Sequence, residues 1–187
     1  AFHHLQTFQK NGDKCIYSIN LSGNSLNDDK LSDYIAQKID QYHIRTGQLC
    51  FEVTETAAVF NLVKASNIIK ALQKLGCRFS LDDFGSGLSS FGYLKNLPVD
   101  FLKIDGSFVK DMNTNPMNRA IVEAIHQVGH TLNILTIAEF VENGAIADQL
   151  REIGVDFAQG YHFSRPEPLI DNSNVIPLGN KSSRSKH

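Results

Sequence analysis

Two aspartates, Asp82 and Asp83, stand side by side between the apolar run Cys77-Arg78-Phe79-Ser80-Leu81 and the segment Phe84-Gly85-Ser86-Gly87. Adjacent carboxylates at the end of a buried strand repel each other and resist desolvation, so something positive has to compensate them. A pair of divalent cations does this economically, because one carboxylate can bridge two metals while its neighbour binds only one. Taken alone, the pair could equally cap the turn at a loop entry. His126 and His130, one helical turn apart, have a second spacing suited to a metal. With no third ligand recognisable beside them, a plain helix face is the reading.

The elements that must position these residues follow from hydrophobic periodicity. Short apolar runs predict strands at Cys15–Leu21, Leu49–Thr54, Arg78–Asp82, Phe101–Ile104, Ile134–Ala138 and Asp156–Gln159. Helical spacing of apolar residues falls between them: Leu31, Ile35 and Ile39; Leu62, Ala65, Ile69 and Leu72; Ile121, Ile125 and Val128; Ile146, Leu150 and Ile153. Asp28 or Asp29 is expected to cap the first of these helices, and Gly76 and Gly154 to stop two of them. Between the third and fourth strands only Ser89–Leu94 has a weak helical signal before Pro98.

This alternation predicts a parallel sheet covered by helices, either an open doubly wound sheet or a closed (β/α)8 barrel. Polar residues fall at or just past the C-terminal ends of all six strands: Asn20, Glu52 with Glu55, Asp82 with Asp83, Lys103, Glu139 with Glu142, and Gln159. A barrel gathers its strand ends around one axis, whereas an open sheet spreads them along a crevice, so convergence favours the barrel. A complete barrel has eight strands and about 250 residues. The expectation is therefore a TIM-type (β/α)8 barrel incomplete at the N-terminus, with about six βα units present and about two lacking. Phe2-His3-His4-Leu5 reads as the end of a preceding helix. Residues 1–170 form the barrel portion in this reading, and residues 171–187 a disordered tail.

The chain has 187 residues, of which 42% are hydrophobic and 20% charged, with a formal net charge of −2. Neither sign dominates, so nothing suggests a protein that coats duplex nucleic acid or an anionic membrane. No apolar stretch approaches the ~20 residues that span a bilayer. Cys15, Cys50 and Cys77 have no metal-ligand spacing and read as buried reduced thiols of a cytoplasmic protein. Taken singly, several residues have plain roles. Asn20 suits a turn, Asp105 accepts backbone bonds at the Asp105-Gly106 turn, and Gln159 ends a strand. Glu142 suits either a cap of the next helix or a role beside the metal ligands. Phe84, Phe91 and Tyr93 read as core packing, although each could stack on a planar base.

As an ordered set, these segments resemble a known family. Ser18-Ile19-Asn20-Leu21-Ser22, Phe51-Glu52-Val53-Thr54-Glu55-Thr56, Leu81-Asp82-Asp83-Phe84-Gly85-Ser86-Gly87, Leu102-Lys103-Ile104-Asp105, Ala138-Glu139-Phe140-Val141-Glu142 and Gln159-Gly160-Tyr161-His162-Phe163 look like the successive motifs of the EAL domain. That family consists of bacterial phosphodiesterases that cleave cyclic di-GMP to linear pGpG on a TIM barrel. The resemblance implies a first metal held by Asn20, Glu52 and Asp82. Asp82 would bridge to a second metal bound by Asp83, with Glu139 close by. Both metals would be Mg²⁺ or Mn²⁺, which hard oxygen ligands suit. Lys103 would orient the attacking water and accept its proton, provided nearby cations depress its pKa. Gln159 would help place the water or phosphate, and Glu55 would anchor the Gly85-Ser86-Gly87 loop.

The chain departs from the pattern in four places. Ser86 stands where threonine is commoner. Leu88 occupies a place often held by tyrosine at a dimer contact. Phe140 replaces a glycine and is expected to crowd Glu139. No Glu-Ala-Leu segment precedes Asn20, so the first metal has three ligands from this chain. By resemblance the partners are cyclic di-GMP, a second copy in a homodimer, and fused or associated sensory or cyclase domains. The compartment is the cytoplasm, free or as the cytoplasmic part of a membrane-bound receptor. The alternative is a catalytically inactive domain that binds cyclic di-GMP as a receptor or scaffold; retention of Glu52, Asp82, Asp83 and Lys103 favours the enzyme.

Overall fold

A computed structural model describes residues 1–87 and 91–167. The expectations for Leu88 and for the tail 171–187 lie outside the described residues. The chain runs α1 (Phe2–Lys10), β1 (Tyr17–Asn20), α2 (Gly23–Leu26), α3 (Leu31–Tyr42), β2 (Leu49–Thr54), α4 (Glu55–Phe60), α5 (Leu62–Gln73), β3 (Arg78–Phe84), a 3₁₀ turn at Phe91–Asn96, β4 (Phe101–Ile104), α6 (Gly106–Val109), α7 (Pro116–Thr131), β5 (Leu135–Ala138), α8 (Gly144–Ile153) and β6 (Phe157–Ala158). All six strands are parallel and their spatial order is their sequence order, β1-β2-β3-β4-β5-β6.

That order decides between the two folds. Crossovers of one hand that always step in the same direction put every connecting helix on the same face of the sheet. A doubly wound sheet must reverse direction to cover its second face. The chain is thus an α/β fold of TIM-barrel type, with six parallel strands among the described residues.

Strand registers assign the faces. The outer set contains Leu49, Phe51 and Val53 of β2, Phe79 and Leu81 of β3, Leu102 and Ile104 of β4, and Thr136 and Ala138 of β5, all buried under the helices. The helices meet this face with α5 residues such as Ile69 and Leu72, α7 residues Val122 and Ile125, and α8 residues Ile146 and Leu150. The inner set follows from alternation: Asn20, Glu52, Asp82, Lys103, Glu139 and Gln159 all fall on the opposite face.

Several boundaries differ from expectation for identifiable reasons. β1 starts at Tyr17 rather than Cys15, because Asp13 folds the entry into a turn: its carboxylate accepts the Cys15 N–H at 2.7 Å and the Tyr17 hydroxyl at 2.6 Å. Cys15 is exposed as a result, while Cys50 and Cys77 are buried as expected. The first helix does not end near Leu5 but continues to Lys10, with Leu5 in the core. Neither Asp28 nor Asp29 caps α3. Lys30 is its N-cap residue, and Asp28 instead accepts the Lys30 N–H at 2.9 Å. Gly154 ends α8 in the left-handed region at φ 94°. Asn143, not Glu142, caps the start of α8 through the Ile146 N–H.

β3 runs to Phe84, past the expected Asp82, and its pairing with β4 shifts register between Leu81 and Phe84. Within that irregularity Asp83 takes φ +55°. In a regular strand two adjacent side chains point to opposite faces, which would drive one aspartate into the helical layer. The bulge removes that conflict and leaves Asp83 exposed beside Asp82.

Candidate functional site

The site is centred on Lys103, buried in the middle of the inner face and 4% exposed. Its Nζ lies 2.8 Å from Asp82 Oδ1, 2.8 Å from Glu139 Oε1 and 3.2 Å from Glu52 Oε2. Four successive strands, β2 to β5, thus bring one ammonium and three carboxylates into direct contact. Asp83 completes the group: carboxylate oxygens of Asp82, Asp83 and Glu139 all lie within 4.8 Å of one another.

One ammonium cannot balance this many carboxylates, and the proton affinities reflect it. Burial pulls the Lys103 ammonium toward neutrality, yet its bonds to Asp82 and Glu139 outweigh burial and hold it above the ordinary lysine range. Burial raises the Glu139 carboxyl even though Lys103 opposes the shift. Burial, then the Asp82 charge, raises Asp83. With protein groups alone, therefore, Lys103 is shifted opposite to the depression that proton acceptance requires. The oxygen-only donor set and its under-compensated charge fit hard divalent cations, which favour carboxylate oxygen and would supply the missing positive charge.

A pH test follows from the two raised carboxyls. A carboxyl whose folded pKa exceeds its unfolded one penalises the ionised folded state above that pKa, and the penalty is relieved as pH falls through it. Cation binding needs the ionised form, so the thermal stabilisation given by Mg²⁺ should be full at neutral pH. It should fade as pH falls through the raised pKa values of Glu139 and Asp83, before the ordinary carboxylate range of about 4 is reached. A Mg²⁺-induced melting shift that persists unchanged into that range would contradict this account.

Asn20, exposed at the end of β1, is the register partner of Glu52 and so stands at the edge of the same face. Gln159 follows β6. Its backbone N–H donates to Ala138 and its carbonyl accepts from Val141, leaving the exposed side chain at a cleft of about 590 Å³. Glu139, Phe140, Glu142, Tyr161 and Arg165 also line this cleft. Glu142 thus lines the cleft beside Glu139 and does not cap α8. Arg165, whose guanidinium stacks 5.0 Å from the Tyr161 ring, was not singled out in the sequence; no periodicity marks it. Asp105 acts as read, accepting the Ser107 N–H at 2.7 Å to cap α6.

Phe140 does not crowd Glu139. Its backbone sits in the left-handed region at φ 51°, which turns the exposed ring away over Gly106. A methyl at Gly106 would overlap that ring, so the glycine provides the space that Phe140 needs.

Glu55, buried at 5% exposure, begins α4 and accepts the Gly85 N–H at 3.1 Å and the Tyr93 hydroxyl. Gly85 itself has φ +97°, and a Cβ there would come within 2.9 Å of Phe108. This loop conformation is therefore reserved for glycine and tied down by a carboxylate. Ser86 closes the turn by donating its hydroxyl to the Asp83 carbonyl at 2.8 Å, and Gly87 lies alongside Glu55. Tyr93 is neither plain core nor a base platform; it is the second tether of Glu55, a role its sequence neighbourhood does not disclose. Phe84 is fully buried as expected, whereas Phe91 is exposed and packs one side of its ring on Phe84, with centroids 5.7 Å apart.

Tyr93→Phe removes one donor from a buried carboxylate and should lower stability by about 1–3 kcal/mol. Glu55→Gln should cost turnover as well as stability, because the loop carrying Asp83 loses its anchor. Denaturation and steady-state kinetics check both, and a Glu55→Gln protein with unchanged kcat would refute the anchoring role.

With this geometry in place, comparison with known proteins is informative. The chain is 50% identical over 157 residues to the cyclic di-GMP phosphodiesterase PdeB of Shewanella oneidensis, covering 84% of this chain and 18% of that protein. It is 39% identical over 160 residues to the cyclic di-GMP phosphodiesterase PdeF of Escherichia coli, covering 86% of this chain and 21% of that protein. The chain thus spans about a fifth of the length of these relatives. Among solved structures, the PaMucR phosphodiesterase in complex with c-di-GMP superposes with a TM-score of 0.85 at 32% identity, covering 90% of this chain and 68% of that one. A family model described as the EAL domain matches residues 1–166, and with six ordered strands presenting the carboxylate–lysine centre on one face, the chain belongs to the EAL domain family.

Proposed function

We propose that this chain forms the greater part of a catalytic domain that hydrolyses cyclic di-GMP to linear pGpG. The observation that carries the proposal is Lys103 held by Glu52, Asp82 and Glu139, with Asp83 beside them. Asn20, Glu52 and Asp82 would hold one Mg²⁺ or Mn²⁺, with Asp82 also facing a second held by Asp83 and Glu139. When bound, such cations lower the pKa of water and neutralise charge on phosphoryl oxygens.

The protein groups position what reacts. Lys103 Nζ, a donor without a lone pair in its charged form, donates to the attacking water and fixes the water's lone pair toward phosphorus. Glu139 offers an oxygen 2.8 Å from Nζ that would take the water's proton. Gln159, with both an amide donor and acceptor, orients the phosphate edge or the water. Glu55 keeps the Gly85-Ser86-Gly87 loop, and hence Asp83, in register.

The domain reading is a barrel portion through residue 170, acting as a homodimer under fused sensory or cyclase domains. The far greater length of PdeB and PdeF supports such fusion. The free thiols and a bacterial nucleotide substrate suit the cytoplasm. Among the described residues, no helix is long and apolar enough to cross a membrane.

The test is turnover by the full-length protein supplied with Mg²⁺ or Mn²⁺, following pGpG by chromatography. Linear product supports hydrolysis. Tight binding of cyclic di-GMP with no product would replace the enzyme by a receptor.

A further inference from the structure

A second cluster lies at the opposite end of the sheet, on the side where the strands begin. His126 and His130 project from α7, and Asp156 stands just before β6. One nitrogen of each ring and one carboxylate oxygen lie within 4.8 Å of one another. The two rings are close, with centroids 4.1 Å apart. The third ligand that the sequence did not disclose is thus supplied from about thirty residues away in the chain, through the fold.

Thr136, fully buried in β5, organises the cluster. Its backbone N–H and its hydroxyl both donate to Asp156 Oδ2, at 2.8 and 2.9 Å. A hydroxyl has one proton, so having given it to the carboxylate it can only accept from His126, whose Nδ1 lies 2.8 Å away. His126 Nδ1 therefore carries the hydrogen, and Nε2 keeps its lone pair. Metal-binding imidazoles are oriented in just this manner, one ring nitrogen donating to a neighbouring oxygen while the other ligates. His130 Nε2 lies 2.9 and 3.1 Å from the two oxygens of Asp156. Ligands around a tetrahedral zinc ion, at about 2.0–2.2 Å from it, stand about 3.3 Å apart, close to the His130–Asp156 spacing, and all three groups offer ligand atoms within 4.8 Å of one another. His126 and His130 line a cleft of about 600 Å³, at whose rim Arg119 pairs with Glu123 and Glu152.

We propose that His126, His130 and Asp156 form a binding site for one Zn²⁺-class cation, distinct from the oxygen-lined centre around Lys103. Two imidazoles and one carboxylate are borderline ligands that favour Zn²⁺ over Mg²⁺, whereas the Asp82–Asp83–Glu139 group offers oxygen alone. The two centres thus sort cations by ligand chemistry. An ion here would join α7 to the two-residue strand β6.

The test is calorimetric titration of the full protein with Zn²⁺ in saturating Mg²⁺, alongside long-range proton–nitrogen spectra of the histidines. One Zn²⁺ per chain should bind, with the His126 Nε2 and His130 signals shifting together. His130→Gln, at an exposed position, should weaken binding at least about tenfold, while Asp82→Asn leaves it unchanged. Binding that survives the His126→Gln/His130→Gln double substitution, or that Asp82→Asn abolishes, places the ion elsewhere and overturns the proposal. Unshifted histidine signals in excess Zn²⁺ would leave only a His130–Asp156 ion pair, and overturn it equally.

Discussion

Lys103→Met should abolish measurable hydrolysis of cyclic di-GMP, a fall of about 10²–10⁴-fold from the lost positioning of the water alone. Methionine matches the lysine stem as far as Cε and keeps it packed, so the change removes the ammonium and its three contacts with little other loss of volume. The same variant makes a second, less obvious prediction. Glu52, Asp82 and Glu139 lose the ammonium that links them, and a buried group left without its partner typically costs about 3–5 kcal/mol. The metal-free variant should therefore unfold at markedly lower denaturant concentration than the metal-free parent. Adding Mg²⁺ should recover most of that stability without recovering activity. If stability and activity return together, Lys103 serves only to hold the carboxylates apart, and its place in the reaction is lost.

Asp82→Asn has the complementary signature. The amide keeps the shape of the side chain and one oxygen, but it removes the charge that Lys103 meets at 2.8 Å and that two cations would share. Turnover should fall by at least about 10³-fold, as expected when a preorganised electrostatic contact to the reacting centre is removed. Stability of the metal-free protein should change little or rise, because one like charge leaves a site that has too many. Cyclic di-GMP binding in the absence of turnover, measured by calorimetry, separates loss of chemistry from loss of the pocket. A variant that retained more than about a tenth of parental kcat would remove Asp82 from the bridging role.

Much of this arrangement was legible from residue order. Bounds of β2 and β4 follow directly from continuous apolar runs, since strands covered by helices need a buried outer face. Glu52 and Lys103, each flanked by apolar residues, are assigned to the inner face through their place in the ordered set of motifs, since a lone strand charge could as well face solvent. Elements that depend on side-chain bonding rather than burial were not legible. The late start of β1 depends on Asp13, the α8 cap on Asn143, and the second tether of the loop on a tyrosine 38 residues beyond Glu55. The His126–His130 pair looked like an ordinary helix face because its third member arrives through strand pairing, which local spacing does not encode. Phe140 was misjudged for a related reason. Its effect depends on the sign of a backbone angle, and the side-chain volume that suggested crowding has no bearing on that.

The register shift in β3 bears on what position 83 can be. At φ +55°, the backbone there disfavours β-branched residues most and favours glycine, asparagine and aspartate. A hard cation beside Asp82 would ask in addition for a negatively charged oxygen. Aspartate suits both demands: asparagine shares the backbone preference but lacks the charge, and glutamate has the charge but not the backbone preference. Main-chain geometry and inorganic chemistry thus act as two independent filters on a single codon.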